Sequence, residues 1–236
     1  MKNVTYNIQN ILKSLEKYNE MDLLIRSETK EFDITFANKY NPHLLGLPYI
    51  NERKNLNGIK LYNYIFDNNL SDQEIFIRVE KNHGKIMKEN IINRVETFPE
   101  FLKNLEEGII VEKTLDSKMN VNYLIIQNKD DEFYHLGILS GSNGALLVDF
   151  DNIEDKREKD ILKTYFIEPN KEYFKDSNIA ELIKSIERYD EKEKRYIPFS
   201  FDEVKNEKLL KQFYLEKEED FSIPKKLKIN SKEFER

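Results

Sequence analysis

Residues 133–139 read Phe133-Tyr134-His135-Leu136-Gly137-Ile138-Leu139, an apolar run in which alternate side chains fall on opposite sides of an extended chain. Phe133, His135 and Gly137 share one face, and Tyr134, Leu136 and Ile138 the other. Similar short runs flank it at 109–114, 121–127 and 145–150, separated by Asn, Asp, Gly and Ser clusters, so this part of the chain reads as an antiparallel meander. Thr164 to Ile167 offers a further strand. The cluster Ser140-Gly141-Ser142-Asn143-Gly144 joins two of these strands without a following Lys-Ser/Thr, so it reads as a hairpin turn rather than a phosphate loop.

Upstream the texture is helical. Val4, Ile8, Ile11, Leu12, Leu15 and Tyr18 make one face of an amphipathic helix. Leu23 to Ile25 and the alternating Phe32, Ile34 and Phe36 then predict a hairpin. Asn41-Pro42-His43-Leu44-Leu45-Gly46-Leu47-Pro48 reads as a shaped loop, because its prolines and glycine oppose regular structure. Ser71-Asp72-Gln73-Glu74 is a capping box that starts a helix, stopped at Asn82-His83-Gly84. A further helix is predicted over 85–96. Thr97-Phe98-Pro99-Glu100 repeats the capping pattern and predicts a short helix ending at Gly108. Residues 179–186 and 207–214 predict two late helices, and the tail from Glu216 is charged.

The expected fold is α+β: a helical N-terminal half, a four-stranded antiparallel β-meander, then C-terminal helical additions. The expected divisions are an N-terminal amphipathic helix over 1–22, a main α+β domain over 23–200, and a C-terminal helix and charged tail over 201–236.

Composition narrows the chemistry. The 236 residues include no Cys and three His. Disulfides, thiolate metal sites and cysteine nucleophiles are therefore excluded. No His-x-His, His-Glu-x-x-His or Asp-rich calcium loop occurs, so neither metal nor cofactor is expected. No apolar run is long enough to span a bilayer, and the charged first twenty residues lack a signal-peptide block, which predicts a cytoplasmic protein without membrane association. The net charge is −6, yet residues 1–105 carry 15 Lys/Arg against 14 Asp/Glu, so the acidity lies in residues 106–236. A local cationic site survives that balance.

Lys81, Lys85, Lys88 and Arg94 recur on one side of the middle helices, where they can hold a phosphate or simply form a solvated face. His83, at a helix C-terminus, has an ordinary structural role there. His135 reads as a half-buried strand residue. His43 lies between residues that fix the backbone, as a positioned catalytic loop requires.

Several segments together resemble the phage-associated members of the barnase/EndoU/colicin/RelE-like nuclease superfamily. They are Tyr40 with Pro42-His43-Leu44-Leu45-Gly46-Leu47, the stretch Ile91-Ile92-Asn93-Arg94-Val95-Glu96-Thr97-Phe98, the strand Tyr134-His135-Leu136-Gly137-Ile138, Thr164-Tyr165-Phe166, and Pro198-Phe199-Ser200-Phe201-Asp202. The resemblance covers roughly residues 30–200. It implies helices followed by a four-stranded antiparallel sheet, and a metal-independent ribonuclease of the toxin or phage-conflict type. It also implies a catalytic set drawn from a His or Glu, a Lys or Arg, and a Ser, Thr or Tyr. In this sequence those positions are His43, Arg94, His135 and Thr164.

Cleavage of RNA through its own 2'-hydroxyl needs a base, an acid and a cation on the phosphate, which suits these residue types. Lys85 and Lys88 would add phosphate contacts, and Tyr40, Tyr134 or Phe133 could stack an unpaired base. RNA is then the expected substrate, with an antitoxin or immunity protein as the protein partner to look for. The alternative is a non-enzymatic interaction protein, a phage inhibitor or degenerate nuclease fold, whose acidic half occupies a basic partner surface. A metal-dependent nuclease ranks third.

Overall fold

A computed structural model describes residues 7–52, 56, 58–113, 120–129, 132–140, 159–168 and 180–222. The first helix, α1 (Ile8–Glu16), starts where the Asn7 side chain accepts the Asn10 N–H, and it buries Ile8, Leu12 and Leu15. The chain then turns directly into β1 (Met21–Arg26) and β2 (Glu31–Phe36), the predicted hairpin.

The proline-rich stretch expected to be an irregular loop is more ordered than that. Pro42 sits in the first turn of a one-turn helix, α2 (Asn41–Leu44), where its missing N–H costs nothing, and Pro48 does the same in the 3-10 turn Leu47–Ile50. Gly46, between them, takes φ +75, a conformation that favours glycine.

Helices α3 (Gly58–Asp67) and α4 (Asp72–His83) follow. The capping box is fully formed: the Ser71 hydroxyl accepts the Glu74 N–H, and the Glu74 carboxylate accepts the Ser71 N–H. Ser71→Ala is expected to cost about 1 kcal/mol of stability, read by urea denaturation. Gly84 ends α4 and begins α5 (Lys85–Lys103).

The second predicted capping box is not used. Thr97 and Pro99 lie inside α5, and the Thr97 hydroxyl bonds back to the Asn93 carbonyl at 2.6 Å. The helix continues because Phe98, Phe101 and Leu102 extend the buried stripe of Ile91 and Val95.

A helical half followed by a four-stranded meander is not what forms. The strands divide into two sheets, of which the first begins immediately after α1. The four-stranded sheet has the order β2-β1-β8-β9, where β8 (Ser185–Asp190) and β9 (Arg195–Pro198) come from the far end of the chain. The five-stranded sheet has the order β6-β5-β4-β3-β7, built from β3 (Ile109–Glu112), β4 (Tyr123–Lys129), β5 (Glu132–Leu139), β6 (Ile161–Glu168) and β7 (Ala180–Leu182). All pairings within the sheets are antiparallel.

The helix predicted over 179–186 is instead β7, a two-residue crossing and the start of β8. Its backbone finds partners in both sheets, with β7 pairing with β3 and β8 with β1. The strand predicted at 145–150 lies outside the described residues. The last helix, α6 (Glu203–Ser222), is longer than expected.

Among the described residues the sheets are joined at several points, two of them through backbone groups. At the crossing, the Ile183 N–H donates to the Gly108 carbonyl at 3.3 Å and the Lys184 N–H to the Arg26 carbonyl at 2.7 Å. Just before β6, Asp160 and Asp33 exchange bonds, with the Asp160 N–H on the Asp33 carbonyl and the Asp33 N–H on the Asp160 carboxylate. One core fills the space between, drawing on α1, α5, the hairpin and the inner face of the five-stranded sheet.

Candidate functional site

Helix α5 lies across the inner face of the five-stranded sheet. Tyr165 of β6 is fully buried there against Phe98 (5.0 Å between ring centres) and Phe101 (5.1 Å), and its hydroxyl is 2.9 Å from that of Thr97. One turn earlier on the same helix is Arg94, half-buried beside Gly46, so that a Cβ on that glycine would stand 3.3 Å from a guanidinium nitrogen and 3.1 Å from Ile91. The absence of a side chain at 46 is what lets the α2 segment close over Arg94.

Arg94 has no ion pair and no hydrogen bond among the described residues. Burial pulls its pKa down, and the nearby tyrosines Tyr49 and Tyr165 counter that pull. Burial in turn pushes the Tyr165 hydroxyl up, so it is a neutral phenol at any physiological pH. The corner of α2, the 3-10 turn, α5 and β6 therefore holds a cation whose surroundings contain hydroxyl dipoles and, among the described residues, no carboxylate partner.

His43 belongs to the same corner. It is exposed on α2, and its carbonyl accepts the Gly46 N–H at 2.9 Å, which ties it to the segment lying on Arg94. Tyr40, half-buried just before α2, has the Lys39 ammonium 4.9 Å from its ring centre. The two lysines are engaged elsewhere: Lys85 pairs with Glu89 at 3.5 Å and Lys88 with Glu80. His83 contacts the Asn51 carbonyl at 3.1 Å and the edge of Tyr49.

His135 and Thr164 are not brought to this corner. Register pairs His135 with Phe166 and Gly137 with Thr164, whereas Leu136 pairs with Tyr165, so the first two pairs occupy the outer face of the sheet and the last the inner face. The sheet itself separates them from Arg94. His135 is fully buried and stacked on Phe166 at 4.5 Å, and Thr164 covers Gly137.

Burial pushes the His135 pKa down to about 4, against backbone bonds at Phe166 and Phe133 that raise it. Between the ordinary value near 6.5 and that depressed one, the unfolded chain takes up a proton that the folded chain refuses. Stability is therefore full above about pH 6.5 and falls as the pH drops towards 4, by about 2 kcal/mol between pH 7.5 and 5. Urea denaturation at the two pH values should show this loss, and His135→Phe should remove that part of it.

On the inner face a cleft of about 490 Å³ runs from Thr97 and Tyr134 along the second half of α5 to β4, with Phe101 at its floor and Asn104, Gln127 and Asn128 on its walls. Tyr134 is buried in it with its hydroxyl 3.2 Å from the Glu132 carboxylate. Glu96, Glu100 and Glu107 edge the same cleft.

A family model described as phage-Barnase-EndoU-ColicinE5/D-RelE like nuclease4 matches residues 7–219. The chain belongs to this nuclease family. No curated protein and no solved structure matches it. Membership in a nuclease family points to nucleic acid as the substrate class. Among the described residues no helix is long and apolar enough to cross a membrane.

Tyr49, Thr97 and Tyr165, which also belong to the Arg94 corner, are not among the candidate residues drawn from the sequence. Alternation around Thr164 does place Tyr165 on the opposite face from it. Nothing in the sequence pairs Tyr165 with a helix residue 68 positions earlier.

Proposed function

We propose that the protein is a metal-independent endoribonuclease of the toxin or phage-conflict type, acting in the cytoplasm and leaving a cyclic phosphate. The observation that carries this reading is Arg94, a half-buried guanidinium with no carboxylate partner among the described residues. Its planar fork can take two phosphate oxygens at once. His43, exposed on the segment that covers Arg94, removes the 2'-hydroxyl proton. The 2'-oxygen then bonds to phosphorus, the bond from phosphorus to the 5'-oxygen breaks, and the departing oxygen takes a proton from solvent or from Tyr49. His135 and Thr164 have no direct part in this reading.

The test is incubation of purified protein with RNA in EDTA, with the product ends analysed for cyclic phosphate. His43→Ala should lower the rate by about a hundredfold or more. Full activity in that variant removes His43 from the site, and activity that disappears in EDTA and returns with magnesium overturns metal independence. A second reading, a non-enzymatic protein docking a basic partner surface, is favoured by the glutamates along the cleft. Cleavage by the wild type decides against it.

A further inference from the structure

We infer that the cleft on the inner face of the five-stranded sheet is a base pocket that selects guanine through two oxygen atoms, Oε1 of Gln127 and the second carboxylate oxygen of Glu100. The inference deepens the nuclease reading above and rests on it for the class of ligand. Gln127 donates both protons of its amide, to the Phe101 carbonyl at 2.9 Å and to the Asn104 carbonyl at 2.8 Å. Two carbonyl oxygens can face only the NH2 end of an amide, so Gln127 cannot be turned round, and its Oε1, without a partner among the described residues, is an acceptor. Asn104 holds the second acceptor as well. Its amide nitrogen donates to the Glu100 carbonyl at 3.1 Å and to the Glu100 carboxylate at 3.0 Å, while the Lys205 ammonium donates to its oxygen at 3.4 Å. One carboxylate oxygen of Glu100 is thereby engaged, and the other is left to accept.

The hydroxyls of the cleft have also spent their protons: Thr97 donates to the Asn93 carbonyl at 2.6 Å and Tyr134 to the Glu132 carboxylate at 3.2 Å. The interior therefore offers acceptors above an apolar floor of Phe101 and the Tyr134 ring. Gln127 and Tyr134 are paired across β4 and β5, so a base lying on the Tyr134 ring has its edge at Gln127. Among the four RNA bases only guanine carries two adjacent N–H donors, N1–H and the 2-amino group, on its pairing edge. Adenine, cytosine and uracil each place an acceptor beside their donor. An acceptor set against an acceptor leaves both unpaired, which costs more than a missing contact. The volume of about 490 Å³ admits a purine. Position ties the cleft to the phosphate site, because Arg94, Thr97, Phe101 and Asn104 follow one another at steps of three and four along one side of α5. Thr97, at the near end of the cleft, is about 4.5 Å along the helix axis from Arg94. A phosphate on Arg94 and the base joined to it thus lie along a single helix face.

The experiment measures binding of GMP, IMP, AMP, CMP and UMP to the full chain by calorimetry in EDTA, and maps the ends of RNA cleaved by the same samples. GMP should bind at least about tenfold more tightly than AMP, CMP or UMP, the discrimination of one good bidentate contact, with IMP, which lacks the 2-amino group, in between. Glu100→Gln keeps an oxygen for Asn104 and puts a donor in place of the second acceptor. It should weaken GMP binding about tenfold, leave AMP within about twofold of wild type and leave the urea midpoint unchanged. RNA ends should fall beside guanine in the wild type and lose that preference in Glu100→Gln. No preference for GMP, together with cleavage indifferent to sequence, overturns the base pocket alone. Hexa-arginine bound by the wild type in place of GMP, and lost in Glu100→Gln, overturns it in favour of a protein partner. GMP selected as expected by a protein that leaves RNA intact overturns the nuclease reading and keeps the pocket, and a protein that neither selects GMP nor cleaves RNA overturns both.

Discussion

Arg94→Ala is expected to slow RNA cleavage by about 10²- to 10³-fold, the usual effect of removing one preorganised electrostatic contact from a transition state. It should do so without loss of stability. A half-buried guanidinium with no ion pair or hydrogen bond among the described residues is a net cost to the fold, and alanine, the best helix former, relieves it. Activity and stability are thus predicted to move in opposite directions, a signature that damage to the core would not give. Arg94→Lys should fall between wild type and Arg94→Ala in rate, because it keeps a charge and loses the planar fork. Rates in EDTA together with urea denaturation of the same samples check both halves. Arg94→Ala with undiminished cleavage would remove the arginine from the site.

Gly108→Ala is expected to produce the largest loss of stability, about 3 kcal/mol, at the upper end for overpacking. Gly108 has φ −74 and ψ 155, which any residue adopts, so the requirement for glycine is one of space. A Cβ there would lie 2.5 Å from the Cγ2 of Ile125, 3.1 Å from the Leu105 carbonyl oxygen and 3.5 Å from Ile183. Ile125 is fully buried and β-branched, with little freedom to turn aside. The backbone of Gly108 would have to move instead, and its carbonyl is the one that receives Ile183 where the chain crosses between the sheets. Equilibrium denaturation reads the loss directly. A variant within about 0.5 kcal/mol of wild type, the range of an ordinary surface substitution, would mean that Ile125 repacks freely.

Features set by neighbouring residues were legible in the sequence. The Ser71 capping box, the Gly84 stop, the 21–36 hairpin and the alternation of 133–139 depend on chemistry within a few positions, and each has its structural counterpart. Thr97 to Glu100 shows the limit of such reading. Its pattern matches a cap, but a cap needs a non-helical backbone at its first residue, and the buried stripe of α5 keeps Thr97 helical.

The same limit applies to residues 179–186. Their apolar spacing suits a helix, and the unpaired edges of β3 and β1 claim them as strands. Within the candidate site, the sequence brought out His43 and Arg94 through the Gly46 loop and the helix motif. It could not show that the sheet stands between Arg94 and the pair His135 and Thr164, because inner and outer faces acquire meaning only once α5 has been laid on one of them.

The division of the four-stranded sheet between the two ends of the chain has a consequence during synthesis. Arg26 meets its partner Glu187 across 161 positions, and β1 has a second neighbour only when β8 has emerged from the ribosome. Until then the N-terminal hairpin is an isolated pair of strands, which is marginal in water. The hydrophobic core shared by α1, α5 and that sheet is completed last by Ile186, Phe199 and Phe201. A nascent chain that stops short of Phe201 lacks the parts that close this core, so the first sheet and the core beneath it are completed only once β8, β9 and the Phe199–Phe201 segment have been made.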